Sequence, residues 1–216
     1  IRSAGMTDYQ IAVKTLEVLA VEPTAEIVDR LVRRYEELLP GALPQRVGRV
    51  LDNVREVLDH LAGAKPDVRS YLLTGNTRAG ARAKLTYYGL MEFFTTDGAF
   101  CVDTTARADI ARRALDLARQ AAPVDDDTVV VIGDTPHDIE CAAAIGAKTI
   151  AVATGGYSLD ELAALSPWRA FEVLPPPVEF IDLIESLGIS ASPRPVGQTV
   201  RVAASSAGSV GVKSTP

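Results

Sequence analysis

From residue 49 onward, short apolar runs alternate with stretches of helical period, and this alternation constrains the fold more than any other feature. "SYLLTGN" (70–76) is followed by "RAGARAKLTYYGL" (78–90). "ADIARRALDLARQAA" (108–122) then leads through "TVVVIGD" (128–134) and "HDIECAAAIG" (137–146) to "KTIAVATGG" (148–156). Apolar runs separated by helices of about 10–15 residues build βαβ units, and hence a parallel sheet. The near-continuous β-branched character of "TVVVI" and "KTIAV" fits strands covered on both faces. The expectation is a three-layer, Rossmann-like α/β sheet over residues 47–188.

Residues 1–46 read differently. Thr7 with Gln10 three positions later has the form of a capping box, and Ile11, Val13, Leu16 and Leu19 follow at near-helical spacing. "PTAEIVDRLVRRYEELLP" predicts a second helix, capped by Thr24, with Ile27, Leu31, Tyr35 and Leu38 on one face and Pro40 and Gly41 as its stop. The opening is therefore all-helical. After Gly188 the composition turns to Ser, Pro, Gly, Val and Ala without aromatics or sustained period, which predicts a disordered or loosely attached tail over 189–216.

Charge and cysteine content exclude several functions. Lys plus Arg is 22 against 28 Asp plus Glu, a net of −6 with the basic residues scattered, which argues against a nucleic-acid surface. No run approaches the length of a membrane span. Cys101 and Cys141 stand apart with no C-x-x-C, so neither a zinc site nor a disulfide framework is indicated, and a reducing cytoplasm is the natural setting.

In an open parallel sheet, ligands sit beyond the carboxyl ends of the strands. "SYLLTGN" ends on Thr74, Gly75 and Asn76: a hydroxyl, an unshielded backbone amide and a helix start, which together suit a phosphate, although the same residues also make a turn and a cap. "VVVIGDTPHD" ends on Asp134, with Asp138 four residues on. Two carboxylates at a strand end suit a hard cation such as Mg²⁺, which takes few protein ligands and keeps water and phosphate oxygens for the rest. The competing reading is that Asp134 caps the next helix and Asp138 improves its dipole. His137 reads as a solvent-facing turn residue.

On these residues the chain resembles the haloacid dehalogenase-like hydrolases, most closely their phosphoglycolate phosphatase-like branch, from about Gly5 to Gly188. "LLTGN" is similar to the second family motif and "GDTPHDIECAAAIGAKTIAVATG" to the fourth; "YYGLMEFF" matches the step between them, and the helical opening looks like a cap domain. The resemblance implies a Mg²⁺-dependent phosphatase acting on a small phosphorylated metabolite, in which an aspartate attacks phosphate and water hydrolyses the aspartyl-phosphate. It further implies that Thr74 and Gly75, with Asn76, hold the phosphate, that Asp134 binds Mg²⁺, and that Asp138 supports the metal directly or through water. "AGMTDYQ" looks like a cap loop over the site, where Asp8 would help select substrate, or would simply start a helix.

Two departures stand out. The third motif normally supplies a Lys, yet "FCVDTTARADIARRAL" has none; Arg107 is the preferred substitute and Lys84 the second candidate, although guanidinium and ammonium are not interchangeable. The first motif, an apolar strand running into Asp-x-Asp-x-Thr, is absent. "VDDDTVVV" holds Asp125, Asp127 and Thr128, but these precede their strand. Because the chain opens on Ile1 and "IRSAGMTDYQ" reads like protein interior, the expectation is a missing upstream segment that carries the nucleophile, with the 216 residues inactive alone and the core short of its first strand. The alternative is a non-catalytic member that binds phosphorylated ligands or a partner. An NTP-binding or phosphoacceptor domain is disfavoured, since no G-x-x-x-x-G-K-[ST] occurs and "ATGGYS" is not G-x-G-x-x-G.

Overall fold

The computed structural model describes residues 4–64, 68–94, 98–102, 106–188, 199–205 and 212–214. The chain begins with helices α1 (Asp8–Val18) and α2 (Ala25–Ala42) and a single 3₁₀ turn at Leu43–Gln45, then enters strand β1 (Gly48–Val50). Helix α3 (Val54–Ala64), strand β2 (Val68–Leu73) and helix α4 (Arg78–Tyr87) follow. After a 3₁₀ turn at Met91–Phe94 come α5 (Arg107–Ala121), β3 (Val124–Gly133), α6 (Pro136–Ala144) and β4 (Lys148–Val152). The C-terminal part holds α7 (Leu159–Ala163), β5 (Arg169–Phe171), α8 (Pro177–Glu185), β6 (Thr199–Ser205) and β7 (Val212–Ser214).

The helical opening follows its caps. Thr7 Oγ1 accepts from the Gln10 amide at 3.2 Å while the Gln10 side chain accepts from the Thr7 amide at 2.9 Å, which satisfies two orphan amides at the start of α1. Thr24 caps α2 through a single bond, its hydroxyl oxygen accepting from the Ile27 amide at 3.4 Å. Pro40 does not stop that helix. It falls in the last turn, and helical backbone continues to Ala42, because a proline there forfeits one amide hydrogen bond without breaking a long run. Ala12 and Leu16 of α1 pack against Val28 and Val32 of α2, which gives the helical segment a small core of its own.

Strands β2-β6-β3-β4-β5 form a five-stranded sheet, parallel throughout, and β1 pairs with β7 in a separate antiparallel ribbon. Along β3, Val130 faces one layer and Val131 the other. Val130 joins Ile150, Val57 and Leu61 of α3, and Phe180 and Ile184 of α8. Val131 joins Ile110 and Ala114 of α5 with Cys141 and Ala142 of α6. Sheet and two helical layers make the three-layer α/β fold, and each large side chain buried in it contributes about 1.5–3 kcal/mol.

The C-terminal stretch corrects the sequence-based expectation. Composition predicts a disordered or loosely attached tail over 189–216 and the absent first motif predicts an open place in the core; 189–198, 206–211 and 215–216 lie outside the described residues, whereas Thr199–Ser205 runs as strand β6 in the middle of the sheet, parallel to β2 on one side and β3 on the other. "TVRVAAS" is a short period-2 run whose β-branched residues suit a strand. Two facing strand edges satisfy its backbone on both sides, a determinant that lies outside the segment itself. A second departure is β3, which begins at Val124. Asp125, Asp126 and Asp127 lie in its exposed first half, which is irregular between Val124 and Val129, and not in a turn. They still occupy the strand's amino end, opposite Asp134.

Candidate active site

The site lies at the carboxyl rim of the sheet. Leu73 of β2 is level with Ser205 of β6, and Ile132 of β3 is level with Ala204, so Gly133 also reaches the level of Ser205. Thr74 and Asp134 are each the next residue along, on one rim and two strand spacings apart, roughly 10 Å.

Thr74 is fully buried, and its hydroxyl oxygen accepts from the Asn76 amide at 3.1 Å and the Asn76 side-chain amide at 2.8 Å. These bonds fold the strand end into a tight loop ahead of α4, whose cap is Thr77. Gly75 is required at the loop's apex. A Cβ there would stand 2.8 Å from Arg107 Nη1 and 3.1 Å from the Thr7 Cα. The start of α1 is latched to the same loop, the Asp8 amide donating to the Gly75 carbonyl at 2.8 Å and the Thr77 amide to Asp8 Oδ2 at 2.7 Å.

On the other side, Asp134 is buried at the end of β3 and Asp138 is fully buried in the first turn of α6. Asp138 Oδ2 accepts from the Asp134 amide (3.0 Å), the Thr135 amide (3.0 Å) and the Thr135 hydroxyl (2.8 Å). Its Oδ1 accepts from Arg107 Nη2 at 2.6 Å. The Asp138 carboxylate is therefore turned towards the loop that carries Asp134, with four protein donors on its two oxygens, and the cap of α6 is Thr135 in a capping box with Asp138, not Asp134. Asp134 instead faces the end of β4, where a Cβ on Gly155 would come within 2.2 Å of Oδ2.

Both candidate cations reach the rim, from different helices. Arg107, the first residue of α5, is buried and spans from the Gly75 turn to Asp138. Lys84 of α4 donates from Nζ to Asn76 Oδ1. Burial pushes the Lys84 ammonium below its usual 10.5, against the pull of Asp8. Burial likewise raises the Asp8 carboxyl above 3.8, opposed by Lys84 and the Thr77 amide. His137 contacts Glu140 Oε2 at 3.0 Å and packs on Gly5, on the outer side of α6.

A cavity of about 280 Å³ opens beside Asn76, between α1 and α2 on one side and α4 on the other, with Asp8, Tyr35 and Lys84 in its lining. Tyr35 and Gly155 are site residues that the sequence reading missed. Tyr35 appears there only as part of the apolar face of α2. Gly155 has a usable signal, the "ATGG" directly after an apolar strand. Among the described residues no three His, Cys, Asp or Glu side chains converge to hold a metal. No helix among them is long and apolar enough to cross a membrane.

Comparison with known proteins agrees with this fold. The HAD-hydrolase-like family model matches residues 109–176, from α5 to the start of α8. A probable phosphatase, IndB, of Dickeya dadantii (strain 3937) is 31% identical over 155 residues. The match covers 70% of this chain and 64% of that protein, so the chain spans less than two thirds of this relative's length. The crystal structure of a HAD hydrolase, family IA, variant 3, from Entamoeba histolytica HM-1:IMSS superposes with a TM-score of 0.61 at 19% identity, covering 83% of this chain and 79% of that one. A predicted phosphoglycolate phosphatase from Haemophilus somnus 129PT gives a TM-score of 0.54 at 19% identity, covering 85% and 78%.

Proposed function

The chain belongs to the haloacid dehalogenase-like hydrolase superfamily, and from that premise we propose that its protein is a Mg²⁺-dependent phosphatase of small phosphorylated metabolites. The observation that supports this most is the placement of Thr74 and Asp134 on one rim, with Arg107 reaching from the loop of the first to the carboxylate that fixes the second. A phosphate at the Thr74-Gly75-Asn76 loop would meet backbone amides at the start of α4 and the fixed charge of Arg107 beneath, the elements that stabilise a transferring phosphoryl group.

The donor set fits a small, hard cation. Asp134 is a buried carboxylate at a strand end, and its Oδ2 can lie against the chain after β4 because residue 155 is glycine. In this reading Asp134 holds the ion and Asp138 holds Asp134 in place. When bound, Mg²⁺ neutralises charge on the phosphate oxygens. Arg107 and the Asp138 carboxylate keep the two strand-end loops in register. Lys84 orients Asn76, and through it the Thr74 hydroxyl. Both cysteines are buried and neither is in a disulfide, which supports a reducing, cytoplasmic setting.

One sequence observation favours a second reading. No Asp-x-Asp-x-Thr occurs in the 216 residues, so the attacking group is assigned to none of them, and a phosphate-ligand-binding role without turnover is the alternative. The deciding experiment is a screen of small phosphate monoesters with and without Mg²⁺, paired with a binding titration of inorganic phosphate. Mg²⁺-dependent release of phosphate supports the first reading. Binding without release supports the second, and absence of both overturns the site.

A further inference from the structure

We propose that the slot between β2 and β3 is a strand-binding site that the chain's own β6 fills loosely, and that it accepts in its place an extended segment of another polypeptide with branched apolar side chains where β6 has Ala203 and Ala204. The inference does not depend on the phosphatase reading. Three observations carry it.

The first is backbone demand. β2 and β3 each turn an edge towards the slot, and without an occupant two rows of peptide groups in the middle of the sheet lose their partners. Any extended segment lying parallel to both satisfies them. Main-chain pairing thus supplies affinity whatever the sequence, and side chains supply the choice of segment.

The second is what β6 brings to the core. Ala204 is level with Leu72 and Ile132, and Ile132 in turn with Ile150. Ala203 is level with Tyr71 and Val131. Tyr71, Leu72, Val131 and Ile150 are buried. At two levels where the neighbouring strands carry large side chains, β6 carries a single methyl group. A branched apolar residue at either level buries more surface and suits a strand better.

The third is register. β6 keeps step with β2 from Val68 to Leu73, but against β3 the pairing jumps from Val124 with Thr199 to Val129 with Arg201. Residues 125–128 of β3 therefore lie opposite the single position Val200, and the segment matches only one neighbour along its length. The slot also leads to the rim, since Ser205 is level with Leu73, the residue before Thr74. Exchange of the occupant exchanges the residue at the centre of the candidate site.

The test is refolding of the 216-residue protein from urea with labelled heptapeptides, followed by gel filtration. Peptide is supplied at about millimolar concentration, because a tethered strand competes at that effective level. TVRVVIS should be retained at least tenfold better than TVRVAAS, the sequence of β6, as burial of the added methyl groups requires. TVRPVIS should not be retained, because proline removes an amide from a two-sided ladder. With TVRVVIS bound, amide exchange at Val202 of the protein should accelerate while Tyr71 and Val130 stay protected. The double variant Ala203→Val with Ala204→Ile should have a higher Tm than the parent and retain TVRVVIS at least tenfold less. Retention of TVRVVIS no better than that of TVRVAAS or TVRPVIS overturns the inference. So does a lower Tm of the double variant, which would show that the two alanines already fill their places.

Discussion

Arg107 and Asp138 form an ion pair of 2.6 Å in which both side chains are buried, and it ties the β2 loop to the β3 loop across the centre of the rim. Its two residues are 31 positions apart, on different helices. Desolvating both charges is costly, so the pair contributes little net stability, but removing one partner strands the other.

Arg107→Ala should therefore destabilise the protein by about 3–5 kcal/mol, the usual consequence of leaving a buried carboxylate without its cation. Arg107→Lys should recover part of that loss, because an ammonium can neutralise Asp138 but cannot also span to the Gly75 turn. Urea unfolding of the three proteins separates these outcomes. A loss below about 1 kcal/mol for the alanine variant would show that Asp138 is not relying on Arg107.

Gly155 offers a cleaner probe of the proposed metal position than any carboxylate substitution. A Cβ there would lie 2.2 Å from Asp134 Oδ2, whereas a Cβ on neighbouring Gly156 meets nothing within 4 Å. A ligand at 100 times its Kd stabilises a fold by about 2.7 kcal/mol. Mg²⁺ should thus raise the Tm of the parent protein and of Gly156→Ala, and fail to do so for Gly155→Ala and Asp134→Asn. Equal Mg²⁺ responses in all four would remove Asp134 from the metal site.

How much of this was legible beforehand depends on where the determinants lie. Strands β2, β3 and β4 and helices α4 to α6 are written in local periodicity, and Thr74 and Asp134 are readable because a parallel sheet places the chemistry just past its strands. The pairing of Arg107 with Asp138 is long-range, so no window of sequence contains it. Strand β5, with only Arg169–Phe171, is too short to carry a period. Strand β6 was misjudged for a related reason. Its segment is ordered by the edges of β2 and β3, not by its own composition. Gly155 went unread because a glycine after a strand signals a turn far more often than room for a neighbour's carboxylate.

The position of β6 makes Thr199–Ser205 part of the sheet. Val202 is level with Ser70 on one side and Val130 on the other. Val202→Pro removes an amide from the middle of a two-sided ladder, where proline is not accommodated and each unpaired buried carbonyl costs about 1–3 kcal/mol. Amide exchange at Tyr71, Leu72, Val130 and Val131 should accelerate in this variant, and accelerate further in a protein ending at Gly188. Unchanged protection of those amides would show that the sheet closes without β6.

The Asp8 and Lys84 pair predicts a specific pH response. Lys84 has a folded pKa below its unfolded 10.5, so between those two values the unfolded chain binds more protons than the native one. Stability from this group therefore rises with pH across that window and is lost as pH falls through the folded value. Asp8 acts in the opposite sense over a separate range. Its folded pKa lies above 3.8, so the native state holds the extra proton and stability falls as pH climbs from 3.8 through the folded value. Tyr35, raised above 10 by burial, opposes Lys84 only once pH exceeds 10. In the alkaline range below pH 10, urea unfolding of the parent protein should show a stability that increases with pH. Lys84→Met should flatten that rise whatever its absolute stability, while Asp8→Asn should flatten the acid-side decline. A Lys84→Met variant with the parent's alkaline slope would show that the ammonium is not desolvated at the cavity floor.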